Sequence, residues 1–377
     1  MLGRIFHMLV KEFLQLKRDK WERFRLLVPP LIQMLVFGYA ATFEVYHVST
    51  AVLDLDHSQE SRELVSRFIG SRRFDLDALP SNGDQVRDLI DRSKVTVALR
   101  INPQFGERLR KGQTAPLQVI VDGTNSNTAL LALDYVGQIA TRFDEDYRSD
   151  YMNRIFPQYQ ILLPQAEMQE RPWYNPDLDS QWFFVPGLVG SLVLMTVVNL
   201  TSFAIVRERE IGTLEQIMVT PIRPIEFILG KTVPFFIIGL AQVALVAVSG
   251  ALWFEVPFRG NPLVMLLGTS LFLISTLAVG LLISTMCRTQ QQAFASGFFF
   301  LLPAFILSGF SFPISSMPPV MQWITYLNPL RYYLVVLRGT FLKGTGLAIL
   351  WPQMLAMAVL GVSLLAISIL RFEKSMD

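Results

Sequence analysis

A few residues have types and spacings that invite a chemical reading, and each must first be weighed alone. Gly230-Lys231-Thr232 matches the end of a phosphate-binding P-loop. That loop also needs a glycine five residues before its Gly-Lys pair, so that successive backbone amides wrap the phosphates. Ile225 stands there, directly after Pro224. Leu307-Ser308-Gly309 has the start of an ATPase signature, but it lies in an apolar block and lacks the following Gly-Gln. His57, flanked by Asp54 and Asp56, raises acid–base or metal chemistry. No nucleophile is paired with a base there, and a solvated turn accounts for the cluster. Cys287 is the single cysteine, without spaced partners for a metal and without a second thiol for a disulfide. The sequence therefore carries no ATPase, covalent catalyst or metal centre of its own.

The elements that hold these residues are of an unusual kind. The chain has 377 residues, 51% hydrophobic and only 17% charged, with a mean hydropathy of +0.39. Ordinary soluble domains carry roughly 25% charged residues. The net charge of +2 gives no basic field for nucleic acid. Apolar residues come in blocks, and a span needs about 20 of them to cross a hydrocarbon core of roughly 30 Å. Six such blocks stand at 26–45, 183–206, 233–254, 263–286, 293–312 and 347–370. The first runs through Pro29-Pro30, with a basic leader too long for a signal peptide. A further apolar stretch, 324–342, contains Arg331 and Arg338. Arginine at mid-bilayer costs at least about 2.5 kcal/mol, so this stretch reads as re-entrant, within half-helices over 313–342.

Arg4, Lys11, Lys17, Arg18, Lys20, Arg23 and Arg25 precede the first span and assign that end to the cytoplasm. Six spans return the C-terminus to the same side. The insert 46–182 then lies outside; it holds 15 Lys/Arg against 20 Asp/Glu, a net of −5. Arg331, Arg338 and Lys343 fall on the outer side, against the trend. Within the insert Val95, Val97, Leu99 and Ile101 alternate with smaller or polar residues, the period of a half-buried strand. Strands are also expected at 52–55 and 117–122. Helices are expected around Leu64–Ile69, after Ser81-Asn-Gly-Asp84, and along a stripe of Leu130, Leu133, Val136, Ala140, Phe143 and Tyr147. The insert thus reads as a small α/β domain with a mixed sheet.

One cytoplasmic segment stands out: Arg207-Glu208-Arg209-Glu210-Ile211-Gly212-Thr213-Leu214-Glu215-Gln216-Ile217-Met218-Val219-Thr220-Pro221. Ile211, Leu214, Ile217 and Met218 recur at helical spacing, and Pro221 and Pro224 stop the element. Its charge is balanced, whereas a helix lying on lipid carries Lys/Arg on its polar face. Docking into a partner groove fits better.

Taken in order, the motifs resemble those of ABC-2 type permeases, in particular bacterial multidrug-export subunits that work with a separate ATPase. They are Leu31-Ile-Gln-Met-Leu-Val-Phe-Gly38, Asp122-Gly-Thr-Asn-Ser-Asn127, Trp173-Tyr-Asn-Pro-Asp-Leu178 and Val185-Pro-Gly187. Arg207–Thr213 with Leu214-Glu215 and Pro221, Leu281-Leu-Ile-Ser284, Leu307-Ser-Gly309 and Met317-Pro318 complete the set. The resemblance covers essentially the whole chain. It implies a membrane α-helical fold of six transmembrane helices, with an α/β extracytoplasmic domain inserted between the first and second. Residues 1–25 would be a cytoplasmic interfacial helix, 26–45 the first span, 46–182 the outer domain, and 183–377 the remaining spans. The coupling helix would be 207–219, with Arg207, Glu208, Glu210, Gly212, Thr213, Leu214, Glu215 and Pro221 meeting the ATPase.

The implied protein is the permease subunit of an exporter in the bacterial inner membrane. It would move an amphipathic or hydrophobic compound, drug-like or lipid-like. Its partners would be two copies of an ABC ATPase, a second permease chain (identical or similar), membrane lipid and a periplasmic adaptor. ATP and Mg would be bound by the ATPase, with no cofactor in this chain. Gln33, Phe37, Thr196, Asn199, Phe203, Phe298 and Phe299 are the residues expected along the substrate path. Two rival readings differ in mechanism. An ion-coupled antiporter would place acids at mid-membrane, and only Glu44 and Glu255 come near, both at span ends. A non-transporting mechanical transmitter would show ATPase activity without flux.

Overall fold

The computed structural model describes Val10, Arg18 and residues 20–40, 47–155, 173–177, 179–212 and 224–374. It comprises two compact units, Phe43–Glu170 and Met1–Thr42 with Arg171–Asp377. In chain order the elements are α1 (Lys20–Ala40), β1 (Val48–Asp54), α2 (Gln59–Gly70), β2 (Phe74–Ala78), α3 (Gly83–Asp91), β3 (Val97–Ile101), α4 (Phe105–Arg110), β4 (Leu117–Val121) and α5 (Ser126–Ile155). There follow α6 (Ser180–Ile211), α7 (Pro224–Trp253), α8 (Pro262–Met286), α9 (Gln290–Ile306), α10 (Pro319–Ile324), α11 (Pro329–Arg338) and α12 (Leu347–Lys374).

The smaller unit is an α/β fold whose sheet runs β2-β1-β3-β4. β1 is parallel to both β2 and β3, while β4 closes the sheet antiparallel to β3. Val48, Val52, Val97, Leu99 and Ile101 are buried in one cluster with Leu64 and Phe68 of α2 and Val136 and Phe143 of α5. The Ser81–Asp84 start signal is realised at Asn82, whose side chain accepts from the Gln85 amide at 2.9 Å. Two features depart from expectation. β2 is an additional edge strand, disguised by Asp75 and Asp77 in a run of five. On α5 the buried positions are Ala129, Ala132, Val136 and Phe143, while Leu130 and Leu133 of the expected stripe are exposed. Small alanines face inward there, and the leucines are turned off the core.

Among the described residues of the larger unit, four helices are long and apolar enough to cross a membrane: α6, α8, most of α7 and most of α12. α1 contributes a shorter apolar run, Leu27–Ala40. α6 and α8 form the centre, with Val189, Val193, Val197, Phe272 and Leu273 fully or almost fully buried. They approach closely at Gly280, where a Cβ would lie 2.7 Å from the Thr201 side chain, and Ser202 Oγ donates to the Gly280 carbonyl at 3.3 Å. Small residues permit such contact where no hydrophobic force separates helices from lipid.

Several boundaries move. The outer insert was expected to run to 182, but Arg171 onward belongs with the membrane unit. Asn175 exchanges two hydrogen bonds with the Asp179 backbone, and Asp179 caps α6 through the Gln181 amide at 2.9 Å. The fifth block is helical over Gln290–Ile306 rather than 293–312. Thr289 caps its start, and the chain turns after Leu307 into Gly309, whose φ is +82°. Within 313–342 the chain forms two short helices, α10 and α11. Arg331 stacks on the Tyr326 ring at 3.9 Å, and Arg338 on the Phe183 ring at 3.8 Å. Aromatic faces thus take the place of carboxylates beside these two cations.

Candidate coupling site

The last turn of α6 carries the charged run identified in the sequence, and its side chains reach three other helices. Glu208 Oε1 lies 2.8 Å from Lys231 Nζ, two turns into α7; both side chains are largely buried. Arg209 Nη1 donates to the Cys287 carbonyl at 3.1 Å. Cys287 caps the C-terminus of α8, where backbone carbonyls lack intrahelical donors and attract a cation. Glu210 Oε2 accepts from Gln290 Nε2, on the first residue of α9, at 2.6 Å. Three consecutive residues thus tie one helix end to α7, α8 and α9.

The element ends at Gly212. Its φ of +78° is the left-handed conformation that a Cβ disfavours, and its N–H donates to the Arg209 carbonyl at 3.2 Å. Residues 207–211 therefore complete α6 and do not begin a separate helix, which corrects the expected 207–219 span. Arg207 and Ile211 are exposed beside the break. Thr213, Leu214, Glu215 and Pro221 lie outside the described residues, as does most of the expected interfacial helix 1–25.

Lys231 was set aside as part of a false P-loop, and the structure gives it a different role as the buried partner of Glu208. Glu226, one turn and a half earlier on α7, is buried as well. The sequence signal was a lysine at the head of an apolar block, following an acid-bearing helix end. Gln242 was also missed. It is buried on α7 and its Nε2 donates to Thr196 Oγ1 at 2.9 Å.

The expected path residues are not gathered in one place. Thr196 faces α7 through Gln242, and its hydroxyl also donates to the Leu192 carbonyl at 2.9 Å. Asn199 meets α9 instead, since a Cβ on Gly297 would lie 3.3 Å from Asn199 Oδ1. Phe203 packs against the main core. Gln33 is half-buried on α1, while Phe37, Phe298 and Phe299 are exposed, the last at 78%. Asn199 thus faces the helix that carries Phe298 and Phe299.

The carboxylates around His57 in the smaller unit are held by local hydrogen bonds. Asp54 is occupied by the Ser61 hydroxyl and two backbone amides. Desolvation raises the pKa of Asp56, but hydrogen bonds from Ser58 and from the Gly106, Gln104 and Phe105 amides outweigh it and hold the carboxyl below its usual range. Among the described residues no cluster of His, Cys, Asp and Glu fits a metal ion.

Comparison with known proteins identifies the family. Residues 25–370 match the ABC-2 family transporter protein profile. The chain is 34% identical over 360 residues to the probable multidrug ABC transporter permease YbhR of Escherichia coli K12, covering 96% of this chain and 95% of that one. Identity to the probable multidrug ABC transporter permease YbhS of the same organism is 32% over 381 residues, with 99% and 98% covered. The linearmycin resistance permease protein LnrN of Bacillus subtilis is 26% identical over 320 residues, with 80% and 82% covered. A profile match over nearly the whole chain and two relatives above 30% identity place the protein: it belongs to the ABC-2 family, as a transmembrane permease subunit of an ABC transporter.

Proposed function

We propose that this chain is the permease of an ATP-driven exporter that moves amphipathic or hydrophobic compounds out of the cytoplasm or the inner leaflet. The carrying observation is the attachment of one helix end to three others by Glu208, Arg209 and Glu210. The segment just beyond it, through Thr213, Leu214, Glu215 and Pro221, docks on a separate ATPase that binds ATP and Mg. A push on that segment then moves the ends of α6, α7, α8 and α9 together, a coupling in which each site biases the other. The names of the E. coli relatives support a drug-like cargo.

In the full reading α1 and α9 join the four long helices as spans, giving six, with both termini in the cytoplasm of a bacterial inner membrane. The smaller unit faces the periplasm, where it hands cargo to an adaptor. Two permease chains and two ATPases complete the transporter. Phe37 on α1, and Phe298 and Phe299 on α9, all exposed in the single chain, together with Asn199 on the α6–α9 contact, are the side chains that line the path between subunits.

The test is reconstitution with the partner ATPase in vesicles. Glu210→Lys and Leu214→Asp are expected to abolish cargo-stimulated ATPase activity and flux while the permease still inserts and folds. Full coupling in both variants, with normal ATPase binding, would remove this segment from the docking role. ATPase activity without any flux in the wild type would favour a mechanical transmitter.

A further inference from the structure

A cavity of about 380 Å³ lies between α7 and α8, away from the coupling site. Leu240, Val243, Ala247 and Ala251 line it from α7, and Met265 and Leu266 from α8. Its wall contains one hydroxyl, that of Thr269, which is already bonded to the Tyr333 hydroxyl at 2.9 Å. A site without free polar partners does not hold ordered water. Val248 and Leu266 on its rim are exposed, so the cavity opens on the outer surface of the helix pair.

One end of this groove is built differently. The loop after α7 meets the turn after α11: the Arg259 amide donates to the Phe341 carbonyl at 3.0 Å, and Arg259 Nη1 donates to the Leu342 carbonyl at 3.3 Å. Phe258 and Phe341 pack edge to face, 5.1 Å between centroids, and both line the groove. A Cβ on Gly260 would lie 2.6 Å from the Thr340 carbonyl oxygen, so the two backbones are in direct contact. Arg259 is thereby tied to the turn after α11, next in sequence to Phe258 of the groove wall, and the residue is exposed. Lys343 is exposed on the adjoining turn, and Glu255 is the one acid in the two segments. Trp253, exposed at the same end of α7, donates to the Tyr39 hydroxyl at 2.9 Å. Tryptophan and tyrosine together mark the headgroup level of a bilayer.

The length of the groove agrees with that placement. From Ala251 to Leu240 the axis of α7 rises about 16 Å, close to half of a hydrocarbon core of about 30 Å. The groove thus runs from the headgroup level to the midplane, the depth of one leaflet, with a cation at its wet end. We propose that it is a docking site for an anionic phospholipid, one acyl chain lying between α7 and α8 and the phosphate on Arg259. This site is separate from the export path and does not depend on which compound is exported.

The experiment uses the full-length permease purified in detergent. Palmitoyl-oleoyl phosphatidylglycerol and the phosphatidylcholine of the same chains are titrated in, and retained lipid is counted by native mass spectrometry. A phosphatidylglycerol carrying a photoactivatable acyl chain is mapped in parallel. The wild type is expected to retain phosphatidylglycerol in preference to phosphatidylcholine, with adducts on 240–251 and 262–269. Arg259→Gln should weaken phosphatidylglycerol retention about tenfold, the loss of one charge-assisted hydrogen bond, and weaken phosphatidylcholine, whose phosphate charge is offset by its own choline, distinctly less, so that the preference narrows. Ala247→Trp, which fills the groove, should lose both lipids. If that variant does not fold, Ala251→Leu and the adduct map decide. Adducts elsewhere, equal retention of the two lipids in wild type, or undiminished retention with the groove filled would each overturn the proposal. So would conversion of a dimer to a monomer by Ala247→Trp with lipid still bound, which would make this face a contact between chains.

Discussion

Lys231 Nζ and Glu208 Oε1 lie 2.8 Å apart, with side-chain exposures of only 7% and 17%, and so join the head of α7 to the last turn of α6. An ion pair this far from water gains from its mutual attraction only as long as both partners are present. Removing one leaves a desolvated charge, at a cost of about 3–5 kcal/mol. Lys231→Met or Glu208→Gln is therefore expected to lower the melting temperature and to weaken ATPase stimulation together. The exchange Glu208→Lys with Lys231→Glu should restore stability in part. Recovery of cargo-stimulated ATPase activity in the exchanged pair, measured against both single variants, checks that the pair transmits and does not merely brace.

Gly212 ends α6 at a φ of +78°, and no heavy atom lies within 4 Å of a Cβ built there. The obstacle to another residue is backbone conformation alone, worth about 1–2 kcal/mol for an ordinary side chain. Asn tolerates the left-handed region and Val does not. Gly212→Asn should keep near-normal coupling. Gly212→Val should drive the last turn out of register with Arg209 and Glu210 and reduce stimulated ATPase activity severalfold more than it reduces melting temperature. Equal behaviour of the two variants would contradict a role for this turn.

Orientation is open to direct chemical test. In a Cys287→Ser background, cysteines at Ser81 and Asn125 should react with an impermeant maleimide added to intact cells. One at Thr220 should react only after the cells are opened. Cys287 itself is buried, and its replacement is expected to be mild. Labelling of Thr220 from outside would invert the proposed topology.

The smaller unit should lose stability in acid through Asp56. Its folded pKa lies below the unfolded value because the amides of the Phe105 loop and Ser58 favour the carboxylate over the desolvation that opposes it. A depressed carboxyl contributes stability above its unfolded pKa of about 3.9, and that contribution fades as pH falls through the folded value. Asp56→Asn should destabilise the unit at neutral pH and flatten its loss below about pH 4. Hydrogen exchange at the Gly106 amide, which donates to Asp56 at 2.9 Å, reports the change locally.

What the sequence determined by itself is what local pattern encodes. A hydrophobic block reports burial in lipid through composition alone, so the helices at Ser180–Ile211, Pro262–Met286 and Leu347–Lys374 fall where apolar length requires them. Alternation in Val95–Ile101 reports a strand, though not that its second face is also covered, where Ala98 packs with Ala51, Leu53 and Val86; Asn82 caps a helix through atoms three residues away. Ordered motifs along the whole chain carried the family. Partners distant along the chain were another matter. Glu208 and Lys231 are 23 residues apart, Arg209 and Cys287 are 78, and Glu210 and Gln290 are 80. No periodicity links such positions, because which helix ends meet is set by packing across α6 and α8. The same holds for Thr196, legible as a polar residue in a span but bonded to Gln242, 46 residues further along the chain. Read one residue at a time, Lys231 only ended a rejected phosphate-loop match. Folding buries it against a carboxylate, and the cost of leaving either charge alone makes that pair the stable arrangement.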